Sequence, residues 1–205
     1  SIHRECGPLW DRAVHYILLT RVLGSWSALS SHSKRVVFAQ DPLSAKAALD
    51  LKDRGHRMEV VLVVHYNRSE AHEAEQDGLT REGHRLYRSF LEVEKRVLSK
   101  VDRILFVSEY MREQVLERLP EAGKVPHWVV PNFQPAAMPV QERAGTAHDL
   151  ISIGTLTPRK NHRFILEVLG YARQVGKTYS LTLIGDGPLR KELEALAVDL
   201  KLRES

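Results

Sequence analysis

The chain has a single cysteine, Cys6, in 205 residues. No internal disulfide can form, and a reducing cytosol is compatible with that. No apolar run approaches the ~18 residues that would cross a bilayer. Arg4, Glu5, Asp11 and Arg12 interrupt the start, so it does not read as a secretory leader. The expected location is therefore cytoplasmic. Ten histidines are present, yet none has Cys/His metal spacing and there is no HExxH, so no metal site is expected. His72-Glu73 with Glu75 reads as a solvated loop. There is no serine elbow, no Walker loop and no G-x-G-x-x-G after a strand, which disfavours a serine hydrolase, a P-loop enzyme or a common dinucleotide binder. No basic tract is interleaved with aromatics, so nucleic acid is not an expected partner. Asn67-Arg68-Ser69 spells a glycosylation sequon that carries no meaning without secretion.

What is present is an ordinary globular composition with a mild basic excess. Hydrophobic residues make up 43%, charged residues 27%, and the net charge is +4. That balance allows a core and suits anionic ligands. Short apolar runs alternate with helix-period stretches along the chain. The spacing predicts a helix over residues 8–26, with Trp10, Val14, Ile17 and Leu18 on its packed face, broadened by Leu19, Leu23 and Trp26, and Pro8 in its first turn. Packing on a sheet is the favoured reading of that helix. A membrane-surface helix is the other, and it would give the protein a peripheral place at the inner membrane face.

Residues 27–34 read as a polar linker and 35–39 as a strand. Asp41-Pro42 caps a helix that runs to Gly55. MEVVLVVH, residues 58–65, is the strongest strand, apolar enough to be central and buried on both faces. Residues 71–79 read as a polar loop and 79–100 as one long helix. A strand over 102–107, a helix capped by Ser108 and a strand over 125–130 follow. Residues 133–149, with Pro135 and Pro139, read as an interdomain linker.

The most pointed stretch is ISIGTLTPRKNHRFILEVLGYARQVGKTYSLTLIGDGPLR, residues 151–190. It reads strand, loop, helix, strand, loop, helix, the pattern of a right-handed βαβ unit in a parallel sheet. Phe164, Ile165, Val168 and Leu169 are expected on the packed side of its first helix. Both loops leave the carboxyl ends of strands, where doubly wound sheets bind ligands and helix N-termini favour anions. Gly154, Gly185 and Gly187 allow close backbone approach, and Arg159 and Lys160 supply two cations. These features fit a phosphate; they also fit an ordinary turn with solvated basic residues. Asp186-Gly187-Pro188 is equally suited to start a helix, with Asp186 as its cap.

IGTLTPRKNH followed by LTLIGDGPLRKELEALA resembles the nucleotide-sugar half of retaining GT-B glycosyltransferases of family 4 (glycosyl transferases group 1). RVVFAQDPLSA, VVHYNRSE, LEVEKRVLSKVDRILFVSEYMRE and VVPNF are similar to the acceptor half of the same family. The resemblance covers roughly residues 35–203. It implies an α/β fold with two Rossmann-like domains, both incomplete in this chain. Residues 1–138 would be the acceptor-side domain and 139–205 the first part of the nucleotide-sugar domain. A glycine-rich loop expected before Arg35 and a motif of two glutamates expected after Ser205 are not in the sequence. The chain as written is therefore expected to lack a complete active site.

The resemblance also implies roles. Lys160 and Arg159 would meet the donor's diphosphate, with Gly154, Thr155, Gly185, Asp186 and Gly187 around the nucleotide. Thr155 stands where many relatives carry arginine. His65 would be catalytic, facing the donor sugar; a strand-closing histidine satisfied by a carbonyl is the plainer reading of the residue alone. Asn67, Arg68 and Glu70 would shape the acceptor side, and Asn132 the interdomain crossover. The implied activity is transfer of a hexose-type sugar from a nucleotide-diphosphate sugar to a glycan, lipid or small-molecule acceptor, with no cofactor and no metal. A non-catalytic GT-B-like module that binds a nucleotide or a partner is the alternative.

Overall fold

The computed structural model describes residues 2–28, 35–132 and 148–202. The chain forms two compact units, residues 1–75 with 79–134, and residues 76–78 with 135–205. The expected boundary near residue 138 lies outside the described residues, as does most of the predicted linker.

The first unit is a four-stranded parallel sheet in the order β1-β2-β3-β4. Its strands are β1 (Val36–Ala39), β2 (Glu59–Val64), β3 (Arg103–Phe106) and β4 (His127–Val129). β2 takes a central place, between β1 and β3, with Val61 opposite Arg103 and Val64 opposite Phe106. Val60, Val61, Leu62 and Val64 are buried, as a strand covered on both faces requires. Two helices open where small polar caps stand. Asp41 Oδ1 accepts the Ser44 amide at 2.9 Å and Pro42 follows at the start of α2 (Pro42–Asp53). Ser108 Oγ accepts the Met111 amide at 3.2 Å at the start of α5 (Glu109–Arg118). A short 3-10 turn, Pro120–Lys124, joins α5 to β4.

Asp102 is a structural post. Its carboxylate accepts the Val60 amide at 2.8 Å and pairs with Lys52 Nζ at 2.6 Å, tying the start of β3 to β2 and α2. Burial would raise its pKa, but the Lys52 and Val60 hydrogen bonds win and lower it.

Three expectations for this unit are corrected. The first helix, α1 (Ile2–Ala28), starts before Pro8, which sits inside it, and buries the opposite side. Trp10, Val14, Ile17, Leu18 and Trp26 are exposed. The side turned toward the fold carries Arg12, Tyr16, Leu19 and Leu23. Directional bonds hold it there: Tyr16 Oη donates to Asp50 Oδ2 at 2.6 Å and Arg12 pairs with Glu70 at 3.3 Å. Secondly, the predicted loop over 71–79 contains a helix, α3 (Glu70–Gln76). Ser69 Oγ accepts the His72 amide at 2.9 Å, and Ala71 and Ala74 bury against Leu86 and Phe90. Thirdly, the long helix is shorter than expected. It is α4 (Arg85–Leu98), because Gly78 and Gly83 take positive φ and turn the chain before it.

The second unit is a parallel pair, β5 (Leu150–Ile153) and β6 (Leu181–Ile184), with α6 (His162–Gln174) and α7 (Arg190–Asp199). Leu156, Leu166 and Leu193 form its buried centre. Asp149 and Ser180 clasp the strand entrances: Asp149 Oδ2 accepts the Ser180 amide at 2.7 Å and its hydroxyl at 2.8 Å. The Ser180 bonds hold the Asp149 carboxyl below its usual range. α6 buries Leu166, Leu169 and Gly170, whereas Phe164 and Val168 are exposed, contrary to expectation. The helix begins at His162, directly after the basic turn. Asn161, at φ 49°, turns the chain into it. Among the described residues no helix is long and apolar enough to cross a membrane.

Candidate functional site

The loops after β5 and β6 are bound to each other through their backbones. The ladder continues past the strands: the Gly154 amide donates to the Ile184 carbonyl at 2.9 Å, and the Leu156 amide to the Asp186 carbonyl at 2.9 Å. The Leu189 amide returns a bond to the Leu156 carbonyl at 3.1 Å. This closeness explains two glycines. A Cβ on Gly185 would lie 2.0 Å from the Gly154 carbonyl oxygen, and Gly185 has φ +148°. A Cβ on Gly187 would lie 2.6 Å from the Leu156 carbonyl oxygen. Loop against loop thus fixes these two residues, before any ligand is considered.

Gly154 is different. A Cβ there would meet only the Lys160 stem at 3.7 Å. Lys160 closes a 3-10 turn, Pro158–Lys160, and lays its aliphatic chain over Gly154. That leaves its ammonium, exposed, at the carboxyl edge of β5 and near the start of α6. Thr155 is exposed beside it. Arg159 pairs with Asp77 at 3.2 Å, both within the second unit. Asp186 is exposed, accepts its neighbour Gly187's amide at 2.8 Å and lies 3.8 Å from Arg190. It does not cap a helix. The residue before α7 is Leu189, which makes no side-chain cap, because residues 187–189 are occupied by the contact with Leu156. So Gly154, Thr155, Lys160, Gly185, Asp186 and Gly187 gather at one edge, and Arg159 shares the basic turn.

A cavity of about 750 Å³ elsewhere in this unit is lined by Leu166, Leu169, Leu183 and Leu193. Arg173, Ser180, Arg190 and Glu194 also line it, and of the candidate site residues it touches only Gly185. His162, buried at the start of α6, has no hydrogen-bond partner for Nδ1, and the buried Thr157 hydroxyl has none either. Neither residue stands out in the sequence except by its place beside the basic turn.

In the first unit His65 follows β2 and is exposed. Its Nε2 lies 2.7 Å from Gln40 Oε1, at the end of the neighbouring strand β1. With that oxygen accepting, His65 carries its proton on Nε2 and presents Nδ1 as an acceptor. Gln40 was missed, because parallel pairing of β1 with β2 is what brings positions 40 and 65 together. Alanine at Gln40 is expected to release the ring. Imidazole ¹⁵N shifts should then move from the Nε2–H tautomer toward a mixture, and unchanged shifts would remove Gln40 from the site.

Asn67 and Arg68 are exposed in the same loop. Glu70 turns away to Arg12, and burial raises its carboxyl pKa. Asn132 is exposed after β4. Among the described residues no group of three His, Cys, Asp or Glu is placed to hold a metal ion.

The family model for a glycosyl transferase 4-like domain matches residues 3–132. No curated protein sequence matches the chain. Solved structures that share its fold include two of TarM. One is a point mutant of TarM from S. aureus in complex with fondaparinux, α-GlcNAc-glycerol and UDP. It has a TM-score of 0.58 at 13% identity, and the match covers 82% of this chain and 31% of that one. The other is a second TarM crystal structure, with a TM-score of 0.55 at 14% identity, covering 80% of this chain and 30% of that one. This chain therefore spans less than a third of their length. Its α/β architecture of parallel sheets is that of part of a GT-B glycosyltransferase.

Proposed function

The chain belongs to the glycosyl transferase 4-like domain family, and on that premise we propose that it is part of a retaining glycosyltransferase. The enzyme would move a hexose-type sugar from a nucleotide-diphosphate sugar to a glycan, lipid or small-molecule acceptor. One observation carries the reading: two strand-end loops locked together by Gly185 and Gly187, with the Lys160 stem laid across Gly154. Such an edge offers a cation and a helix start to a diphosphate.

As the bond from the anomeric carbon to the diphosphate breaks, negative charge grows on the leaving group and the sugar gains oxocarbenium character. In this reading Lys160 and nearby amides meet that charge and no metal is required. Arg159 adds a second cation while shared with Asp77. Thr155, where relatives have arginine, supplies a hydroxyl, so donor affinity leans on the two basic residues. His65, oriented by Gln40, would face the donor sugar, with Asn67 and Arg68 toward the acceptor. UDP bound to a TarM structure is compatible with a nucleotide donor. A lipid acceptor would bring the exposed apolar side of α1, with Trp10 and Leu18, to a membrane surface.

Calorimetry with a panel of nucleoside diphosphates tests this. One of them is expected to bind the chain, and Lys160→Ala to weaken it by about tenfold to a hundredfold, the worth of one charge-assisted contact. Equal affinity in wild type and variant would overturn the phosphate assignment. Binding by the full-length protein without sugar transfer would favour the non-catalytic reading.

A further inference from the structure

Glu94 points into the interior from α4, among Phe90, Val97 and Leu98, and is fully buried. An apolar side chain there would close α4 onto the sheet without desolvating a charge. A buried ion pair is seldom the more stable choice. The carboxylate does something an apolar residue could not. Its Oε1 accepts from Arg118 Nη2, at the end of α5, and Arg118 Nε donates to the Arg68 carbonyl oxygen at 3.1 Å. One planar guanidinium thus joins an immobile carboxylate to the backbone of the loop that carries His65. The fork geometry of arginine suits two acceptors held at fixed angles.

The same loop is held elsewhere. Tyr66, the residue after His65, is buried, and the negative charge of Glu94 adds to the burial that raises its pKa. At the far end Glu70 accepts from Arg12, whose guanidinium lies 3.7 Å from the centre of the Phe90 ring. Ser69 is buried and caps α3. His65, Asn67 and Arg68 are exposed, but the backbone between them is fixed from beneath.

We infer that Glu94 and Arg118 are positioning residues for the loop over residues 65–70: the carboxylate fixes the guanidinium, which fixes the Arg68 carbonyl and with it the place of His65. The purpose of the device rests on the proposed role of His65; the device itself rests on the geometry alone.

Hydrogen exchange and imidazole NMR on the whole chain test it, with no need of a ligand. Glu94→Gln keeps the side-chain size and removes the charge. Arg118→Met keeps the stem and removes the fork. Both are expected to raise exchange of the residue 66–70 amides by about tenfold or more, while residues 60–64 and 104–106 keep their protection. The His65 ring signals should broaden or shift in both. Val97→Ala, a nearby core truncation outside the relay, should lower overall stability without singling out the loop. Loop exchange unchanged in Glu94→Gln and Arg118→Met would overturn the inference. So would a rise spread evenly over the unit as in Val97→Ala. Since neither readout involves a nucleotide, a failed donor assignment and a failed relay remain distinguishable.

Discussion

Alanine at Gly185 is expected to unfold the second unit. The added Cβ would stand 2.0 Å from the Gly154 carbonyl oxygen, more than an ångström inside ordinary contact, and 2.9 Å from its carbon. Neither obstacle is a flexible side chain; both are backbone, held by the bond from the Gly154 amide to Ile184. The φ of +148° is itself a region that side chains avoid. Relief requires breaking the ladder beyond β5 and β6, at a cost of about 3 kcal/mol or more. Among the described residues the unit has two strands and two helices around Leu156, Leu166 and Leu193, a small core to set against that cost. Gly187→Ala, whose Cβ would meet the Leu156 backbone at 2.6–2.9 Å, should act in the same direction. Gly154→Ala is the control, since its Cβ makes only ordinary contact with Lys160 and should cost less than about 1 kcal/mol. Exchange mass spectrometry over residues 150–199 reads the three variants directly. Protection in Gly185→Ala equal to wild type would refute the account of the locked loops.

Those glycines also show what was legible in the sequence and what was not. Gly185 and Gly187 can be read as special, and as standing at strand ends, from the apolar runs before them. That each answers to the other loop is a matter of register, which one strand's sequence does not encode. The same holds for Gln40, found only once β1 pairs with β2. Strong local signals were legible: the apolar run of β2, the Asp41-Pro42 start of α2 and the Ser108 cap of α5 are all in place. Faces were less so. α1 has apolar residues on more than one side, and Tyr16 and Arg12 choose between them by finding Asp50 and Glu70. α3 escaped notice because it buries only Ala71 and Ala74, too few for a period to show. Within LEVEKRVLSKVDRILFVSEYMRE, Glu94, Asp102 and Ser108 prove to be anchors: one holds Arg118, one the Val60 amide, one a helix start. The resemblance covers that stretch as a whole, and only the packing shows what these residues do.

Glu94 should make the first unit less stable as pH rises from 4.5 to 7. Burial dominates its surroundings and raises its pKa to about 7, against the opposing pull of Arg118, with the charge of Glu70 adding to the rise. In the unfolded chain its carboxyl ionises near 4.5. Through the interval between these values the folded state holds a proton that the unfolded state has released, so stability falls with rising pH and levels off above about 7. The full effect is on the order of 3 kcal/mol. Glu70, whose pKa is also raised by burial, contributes in the same direction, with Arg12 opposing it. Asp50 and Asp102 have lowered pKa values and act below the window, where stability is lost as pH falls. Glu94→Gln removes one of the two acids whose pKa is raised, so the slope should drop by about half or more and the Glu70 share should remain. All three tryptophans, Trp10, Trp26 and Trp128, belong to this unit, so fluorescence-detected urea unfolding reports on it alone. At pH 8 the variant should equal or exceed wild type, because the amide escapes most of the desolvation cost and Arg118, partly exposed, can turn to water. At pH 5, where wild-type Glu94 is protonated, the advantage should vanish. Parallel curves for the two proteins from pH 5 to 8 would mean that Glu94 stays ionised throughout. Its pairing with Arg118 would then outweigh the cost of burial.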